Sequence, residues 1–372
     1  NGSATGIVSR KAITITADEL NKTYSDPATS DPAAFTYTVS PSITGLVALN
    51  GALSRTAGES AGEYDVLQNS LTNANNANYD ITFVSKKFTI GRAAQATITL
   101  TTVSKTYGTN LTLATTGGSG DGAVTYSLSA NGAGCSVSSG VLSSTGDAGT
   151  TCTVTATKAQ SLNYLEGSSS ATVVTVARRD IQITPESKSK FYNSSDPTLT
   201  YTVTSGALVS GESLSGSLTR TAGENAGTYQ IGQGGVTNAA NANYNITFVS
   251  TPAVYLTIDP LAIGVTAANK TKVYDETPLA DPALTWSVTS GSLKTGDSLT
   301  GSLTRNAGED VGTYAINQGT LGNSNYSISF TGGTFTITGK TQGSFNLSAA
   351  STTVNYQATT TLSTSGGLEI GR

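Results

Sequence analysis

The chain contains no histidine, no methionine, one tryptophan and only two cysteines in 372 residues. Histidine is the commonest general base near neutral pH and the commonest metal ligand, so most hydrolytic and metal-dependent mechanisms lose their central residue. Charge is also sparse: 20 basic side chains stand against 24 acidic ones, a net of −4 spread over the whole length. No basic stripe remains for nucleic acid or anionic lipid. No run approaches the ~18 consecutive apolar residues of a spanning helix, and the polar opening is not a charged segment followed by an apolar one. Membrane insertion, cofactors, metals and catalytic residues are therefore not expected in this segment. The cysteines, Cys135 and Cys152, have neither a second pair nor a histidine beside them, which favours a structural disulfide over a metal site. Such a loop closure contributes on the order of 3 kcal/mol and points to an oxidising compartment.

What the chain does have is threonine (63), serine (46) and glycine (41), together with a repeat. Lys-x-Tyr occurs at Lys22 to Tyr24, Lys105 to Tyr107, Lys190 to Tyr192 and Lys272 to Tyr274, and a weaker Val354-Asn355-Tyr356 follows. Successive tyrosines are 83, 85, 82 and 82 residues apart. Three of the units share Asp-Pro (Asp31, Asp196, Asp281) and Arg-x-Ala-Gly-Glu, with Arg55/Glu59, Arg220/Glu224 and Arg305/Glu309. Gly-x-Tyr (Tyr64, Tyr229, Tyr314) and Asn-Tyr (Tyr79, Tyr244, Tyr326) follow in order. The second unit keeps Lys-x-Tyr and Asn163-Tyr164 but has Ser144 in place of the arginine, which marks a divergent domain type.

Every apolar pattern is short and of period two, as in Ile13/Ile15, Tyr37/Val39 and Phe335/Ile337, bounded by Gly, Asn, Asp and Pro. The expected fold is all-β: a tandem array of small immunoglobulin-like β-sandwiches of about 80 residues, with a β-grasp-like fold as the alternative for the three similar units. A helical turn is allowed for only at 206–218 and 291–303. The expected divisions are 1–10 as the last strand of a preceding domain, then 11–91, 92–178, 179–259 and 260–339, and 340–372 as the start of a fifth domain. Linkers of a few residues predict an extended rod in dilute solution.

The ordered set of Lys-x-Tyr, Gly-Asp/Glu-Ser-Leu (211–214, 296–299), Arg-x-Ala-Gly-Glu, Gly-x-Tyr and Asn-Tyr resembles the MBG/YDG-type repeats of large bacterial surface adhesins, as in filamentous-haemagglutinin-like exoproteins. The second unit is similar to the bacterial immunoglobulin-like domains interspersed with them. The first unit departs from the pattern, with Val47 to Asn50 in place of the Gly-Asp/Glu-Ser-Leu turn. The resemblance implies an exported, non-catalytic stalk or matrix fibre at the bacterial cell surface. Its partners would be a host, bacterial or abiotic surface, or copies of itself. The alternatives are an array of carbohydrate-binding modules and accessory domains of a larger secreted enzyme.

Gly296-Asp297-Ser298-Leu299 spells a serine-hydrolase motif, but it recurs as Gly211-Glu212-Ser213-Leu214 and has no histidine to act with, so it reads as a turn. Trp286 occupies the position of Tyr37, Tyr126 and Tyr201 and reads as a core aromatic. Tyr24, Tyr107, Tyr192 and Tyr274 are expected to pack one ring each into their own small core, with the hydroxyl on a backbone partner. Each arginine is expected to pair with the glutamate four residues on and brace the loop before Gly-x-Tyr. Lys22, Lys105, Lys190 and Lys272 are expected to be solvated. The competing reading is an isopeptide bond to Asn78, Asn163, Asn243 or Asn325, assisted by Glu59, Asp147, Glu224 or Glu309.

Overall fold

The computed structural model describes residues 6–45, 48–130, 134–275, 281–341, 343, 346–349 and 362–365. Every regular element among them is a strand. Neither candidate helical turn forms, and a β-grasp, which wraps its sheet around a helix, does not describe the repeats. The chain divides into two compact units, Asn1–Ile181 with Ser205–Leu214 and Asn238–Thr247, and Gln182–Thr204 with Ser215–Thr237 and Phe248–Arg372.

In the first unit, the first repeat is a sandwich. One sheet runs Tyr37–Ser40, Lys11–Ala17, Tyr79–Val84, and the other Leu20–Thr23, Lys87–Gly91, Gly62–Leu67, Ser54–Arg55. Lys11–Ala17 lies antiparallel to Tyr37–Ser40 and parallel to Tyr79–Val84, with Ile13 opposite Ile81 and Ile15 opposite Phe83. After Asp18-Glu19 the chain crosses to the second sheet, where Leu20–Thr23 runs parallel to Lys87–Gly91. Period-two alternation sends Ile13 and Ile15 inward from one sheet and Val66, Phe88 and Ile90 from the other, with Leu53 and Leu71 closing the core. Burying a side chain of this size stabilises by roughly 1.5–3 kcal/mol.

The second repeat is built differently. Its larger sheet runs Val124–Ala130, Thr151–Lys158, Thr172–Ala177, Ser104–Thr106, with Gly167–Ser168 against Thr151–Lys158. A smaller sheet orders Leu111–Thr112, Val141–Ser144, Cys135–Ser138. Cys135 and Cys152 are bonded to each other with Cα atoms 6.1 Å apart, tying the smaller sheet to the larger through a core of Leu100, Leu113, Leu142, Val154 and Val174.

The second unit repeats the first design. The fourth repeat pairs Trp286–Ser290, Leu261–Ala267, Tyr326–Thr331 in one sheet and Lys270–Val273, Gly333–Thr338, Gly312–Asn317, Thr304–Arg305 in the other. Ile263, Val265, Ile316, Phe335 and Ile337 fill its core, and Trp286 packs half-buried against them. The four-stranded sheet of the third repeat, Lys188–Phe191, Tyr255–Asp259, Gly227–Gly232, Thr219–Arg220, has the same order. Past Gly339, the strands Asn346–Ala349 and Leu362–Ser365 pair antiparallel. Ser3 to Thr5, Val47 and the Val354-Asn355-Tyr356 signature lie outside the described residues.

Candidate functional site

The signature residues converge on two structures, the first of which is an ion cluster inside each of the three similar repeats. Lys22 Nζ meets Asp31 Oδ1 at 2.8 Å and Glu59 Oε2 at 2.6 Å, while Arg55 reaches Asp31 through Nε at 2.7 Å and Glu59 through Nη2 at 2.5 Å. Lys190, Asp196, Arg220 and Glu224 form the same alternating ring, as do Lys272, Asp281, Arg305 and Glu309. Each guanidinium also donates to the carbonyl of the glycine before the glutamate, Gly58, Gly223 or Gly308. It lies over the ring of Tyr64, Tyr229 or Tyr314 at 5.0 to 5.3 Å. That tyrosine in turn donates to the carbonyl four residues before it, at Ser60, Asn225 or Asp310.

The glycine of Arg-x-Ala-Gly-Glu is required here. Gly58 has φ +145°, and a Cβ on it would stand 2.3 Å from the Tyr64 ring. The arginines thus brace the loop before Gly-x-Tyr, and the aspartate of Asp-Pro completes each ring.

One expectation is corrected. The lysines are not solvated: the Lys22, Lys190 and Lys272 side chains are 11 %, 4 % and 6 % exposed, and burial is offset by two carboxylates at Lys22 and Lys190 and by three at Lys272. As to the competing isopeptide reading, the side chains of Asn163, Asn243 and Asn325 are instead taken up by the backbone N–H groups of Ala61, Ala148 and Ala226 in the preceding repeat. The Arg220 guanidinium holds Asp196 down to about 2, and the carboxylates raise Lys272 against the opposing effect of burial. In the second repeat Lys105 is 1 % exposed, with the Thr106 carbonyl 3.5 Å from its Nζ, and burial pushes its pKa down.

Open grooves flank two of these rings, about 850 Å³ beside Arg55 and about 700 Å³ beside Arg220. Their ionic groups are committed to one another.

The second structure joins consecutive repeats. The backbone N–H of Tyr24, Tyr107 or Tyr192 bonds to the closing strand of its own repeat, at Gly91, Ala177 or Asp259, which sets the ring at that repeat's end. There it meets the Asn-Tyr tyrosine of the next repeat edge to face: Tyr24 with Tyr164 at 5.4 Å, Tyr107 with Tyr244 at 5.9 Å, Tyr192 with Tyr326 at 5.5 Å. The asparagine works in two directions. Its carbonyl accepts from the entry of its own repeat, at Ala93, Arg179 or Leu261. Its side-chain Oδ1 accepts from the N–H just before Gly-x-Tyr, or the equivalent glycine, in the preceding repeat: Ala61 at 2.8 Å, Ala148 at 2.9 Å, Ala226 at 2.8 Å.

The acid of Gly-Asp/Glu-Ser-Leu completes two of these clasps. Tyr107 donates to Glu212 Oε1 at 2.5 Å, and Tyr244 donates to Oε2 of the same carboxylate. Asp297 Oδ2 accepts from both Tyr192 at 2.8 Å and Tyr326 at 2.6 Å. Tyr244 and Tyr326 hydroxyls accept in turn from the N–H of Val209 and Lys294. The Glu212 hydrogen bond pushes Tyr107 up to about 12, and the donated hydroxyls of Tyr326 and Tyr192 hold Asp297 below its ordinary value.

The hydroxyls of Tyr107 and Tyr192 thus go to a carboxylate of the next repeat and not to a backbone partner, Tyr24 packs against its own repeat's core as well as against Tyr164, and the Gly-Asp/Glu-Ser-Leu turn is a junction acceptor. The signal was present in the sequence, since the acid alternates between Glu and Asp eight residues before the arginine of Arg-x-Ala-Gly-Glu. It went unread because one chain segment shows only one side of a junction. Around Tyr24 and Tyr164, Asn163 supplies the polar neighbour. Tyr274 packs half-buried against the fourth repeat's core.

Residues 13–89, 181–252 and 263–336, more than half of the chain, match the family described as MBG domain (YGX type). No curated protein matches the chain. Among solved structures, the crystal structure of Drosophila N-cadherin EC1-4 is 11 % identical over 75 % of this chain and 83 % of that one, with a TM-score of 0.20, too low to relate the two folds.

Proposed function

Because the chain belongs to the MBG domain (YGX type) family and joins its repeats through one recurring tyrosine and asparagine clasp, we propose that it is a non-catalytic stalk or fibre segment of an exported bacterial adhesin or matrix protein. The observation that carries the reading is that recurrence. Residues repeated from unit to unit are spent on holding neighbours together, which is what a spacer needs and a set of independent binding modules does not. The units 11–91, 92–178, 179–259 and 260–339 then act as links of one stiff chain that holds a binding tip away from the cell, with a surface or other copies of the chain as partner. A disulfide in the second repeat fits an extracellular location. The carbohydrate-array alternative needs exposed rings on one face, and Tyr192 is 4 % exposed in its clasp.

Small-angle scattering tests the proposal. Four units of roughly 30 Å diameter in line give a maximum dimension of at least about 120 Å, and a value under about 80 Å contradicts the stalk.

A further inference from the structure

Two of the clasps present paired tyrosines whose hydroxyls share one carboxylate, and we propose that Tyr107 with Tyr244 and Tyr192 with Tyr326 are sites of oxidative cross-linking, in which a carbon–carbon bond locks one repeat to the next. Three observations carry this. The first is proximity: ring centroids lie 5.9 and 5.5 Å apart, edge to face, and both hydroxyls of a pair point to one acid, which brings the ring carbons beside those hydroxyls together. The second is a fixed proton acceptor, because a phenol loses an electron more readily when its proton can pass to a hydrogen-bonded carboxylate. The third is composition. The chain has no methionine and no histidine, both cysteines are already oxidised to a disulfide, and one tryptophan stands against 16 tyrosines. Apart from Trp286, the side chains that ordinarily intercept oxidants first are absent or already oxidised.

The co-reactant is hydrogen peroxide used by a one-electron oxidant of the peroxidase class. Each tyrosine gives up one electron and its phenolic proton, the first proton passing to Glu212 or Asp297 and the second to solvent. The two radicals join at the carbons next to their oxygens. The hydrogens on those carbons then leave as protons, the oxygens regain theirs, and two phenols are restored. Two C–H bonds are replaced by one C–C bond, and the two electrons and two protons lost reduce one peroxide to two waters. The Tyr24–Tyr164 pair, 5.4 Å apart, is the internal control: the hydrogen-bond neighbours of Tyr24 are Asn163 and Tyr164, Asp26 acts on it only through its charge, and among the described residues no carboxylate is hydrogen-bonded to both hydroxyls.

The test exposes the intact chain, at a concentration low enough to keep reactions within one molecule, to photo-oxidised ruthenium tris-bipyridyl with persulfate as the one-electron oxidant. Dityrosine fluorescence, intact mass and mapping of cross-linked peptides are the readouts. The expected result is a mass loss of two hydrogens per bond, with bridges mapped to Tyr107–Tyr244 and Tyr192–Tyr326 and a yield at least several-fold lower at Tyr24–Tyr164. Tyr244→Phe abolishes the first bridge, and Glu212→Gln lowers it several-fold, while the Tyr192–Tyr326 bridge persists in both and shows that the oxidation worked. Bridges absent from both pairs, bridges formed chiefly at other tyrosines, or a first bridge indifferent to Glu212→Gln would each overturn the proposal.

Discussion

The second repeat and its three relatives place a lysine at the same point of the same signature and stabilise it in opposite ways. Lys22, Lys190 and Lys272 each enter a ring with an arginine and two acids. Lys105 is buried more deeply, near a carbonyl 3.5 Å away, and its repeat carries the disulfide. The difference shows that the backbone position of Lys-x-Tyr belongs to the fold, since the strand it ends runs parallel to the closing strand in all four repeats. The ion ring is a separate device, added where Asp-Pro and Arg-x-Ala-Gly-Glu supply its other members. Where they are missing, a covalent bond between the two sheets stands in.

Breaking the covalent half of that comparison has the largest expected effect. Cys135→Ser with Cys152→Ser should destabilise the second repeat by about 3 kcal/mol, read as a fall in its denaturant midpoint with the other repeats unchanged. Breaking the ionic half comes next. Arg220→Met leaves Lys190 and two acids in a broken ring, and because the Glu224 side chain is 61 % exposed the loss is discounted to about 2 kcal/mol.

The same ring has a sign in pH. Asp196 is held at about 2 in the folded chain, so its contribution is complete above the unfolded carboxyl value near 3.9 and is lost as pH falls toward about 2. Urea titrations of the intact chain at pH 5 and pH 2.5 should show that loss, and Arg220→Met should abolish the share that falls on the third repeat's transition and leave the rings of Asp31 and Asp281 to lose theirs.

Lys105→Met sharpens the contrast in the other direction. Removing an amine whose charged form is penalised by burial should stabilise the second repeat by about 1–2 kcal/mol at pH 7. Since the folded pKa is lowered, the wild-type chain should gain stability as pH rises toward the unfolded value near 10.4, and the advantage of the variant should shrink with it. An advantage independent of pH would place the effect in packing alone.

The sequence carried the all-β class, the repeat, the disulfide partners and the pairing of each arginine with its glutamate. All of these are local, since alternation of Ile13/Ile15 or a spacing of four residues is visible within one segment. The aspartates of the ion rings were harder to read: Asp31, in the loop between Leu20–Thr23 and Tyr37–Ser40, lies 24 residues from Arg55 and meets it only once that loop has folded over the Ser54–Arg55 edge. The clasps were harder still. Tyr107 and the Glu212 that receives its hydroxyl are 105 residues apart and belong to different repeats, so each half looks like an ordinary turn until the other is beside it. The solvated lysines were misjudged for the same reason, because the two carboxylates that make burial tolerable lie elsewhere in the chain.

The central claim is that the clasp fixes one repeat against the next. Electron spin resonance distance measurement between labels on unnatural side chains at the exposed positions Ser127 and Thr247, which flank the Tyr107–Glu212–Tyr244 clasp within one compact unit, tests it most directly. The account predicts a single narrow distance distribution at pH 7. It should broaden in Glu212→Gln with Tyr107→Phe, and also in the wild-type chain as pH is raised from 10 toward the Tyr107 value of about 12, where the bonded hydroxyl ionises. A broad distribution in the wild-type chain at pH 7, or a narrow one that neither change disturbs, would contradict it.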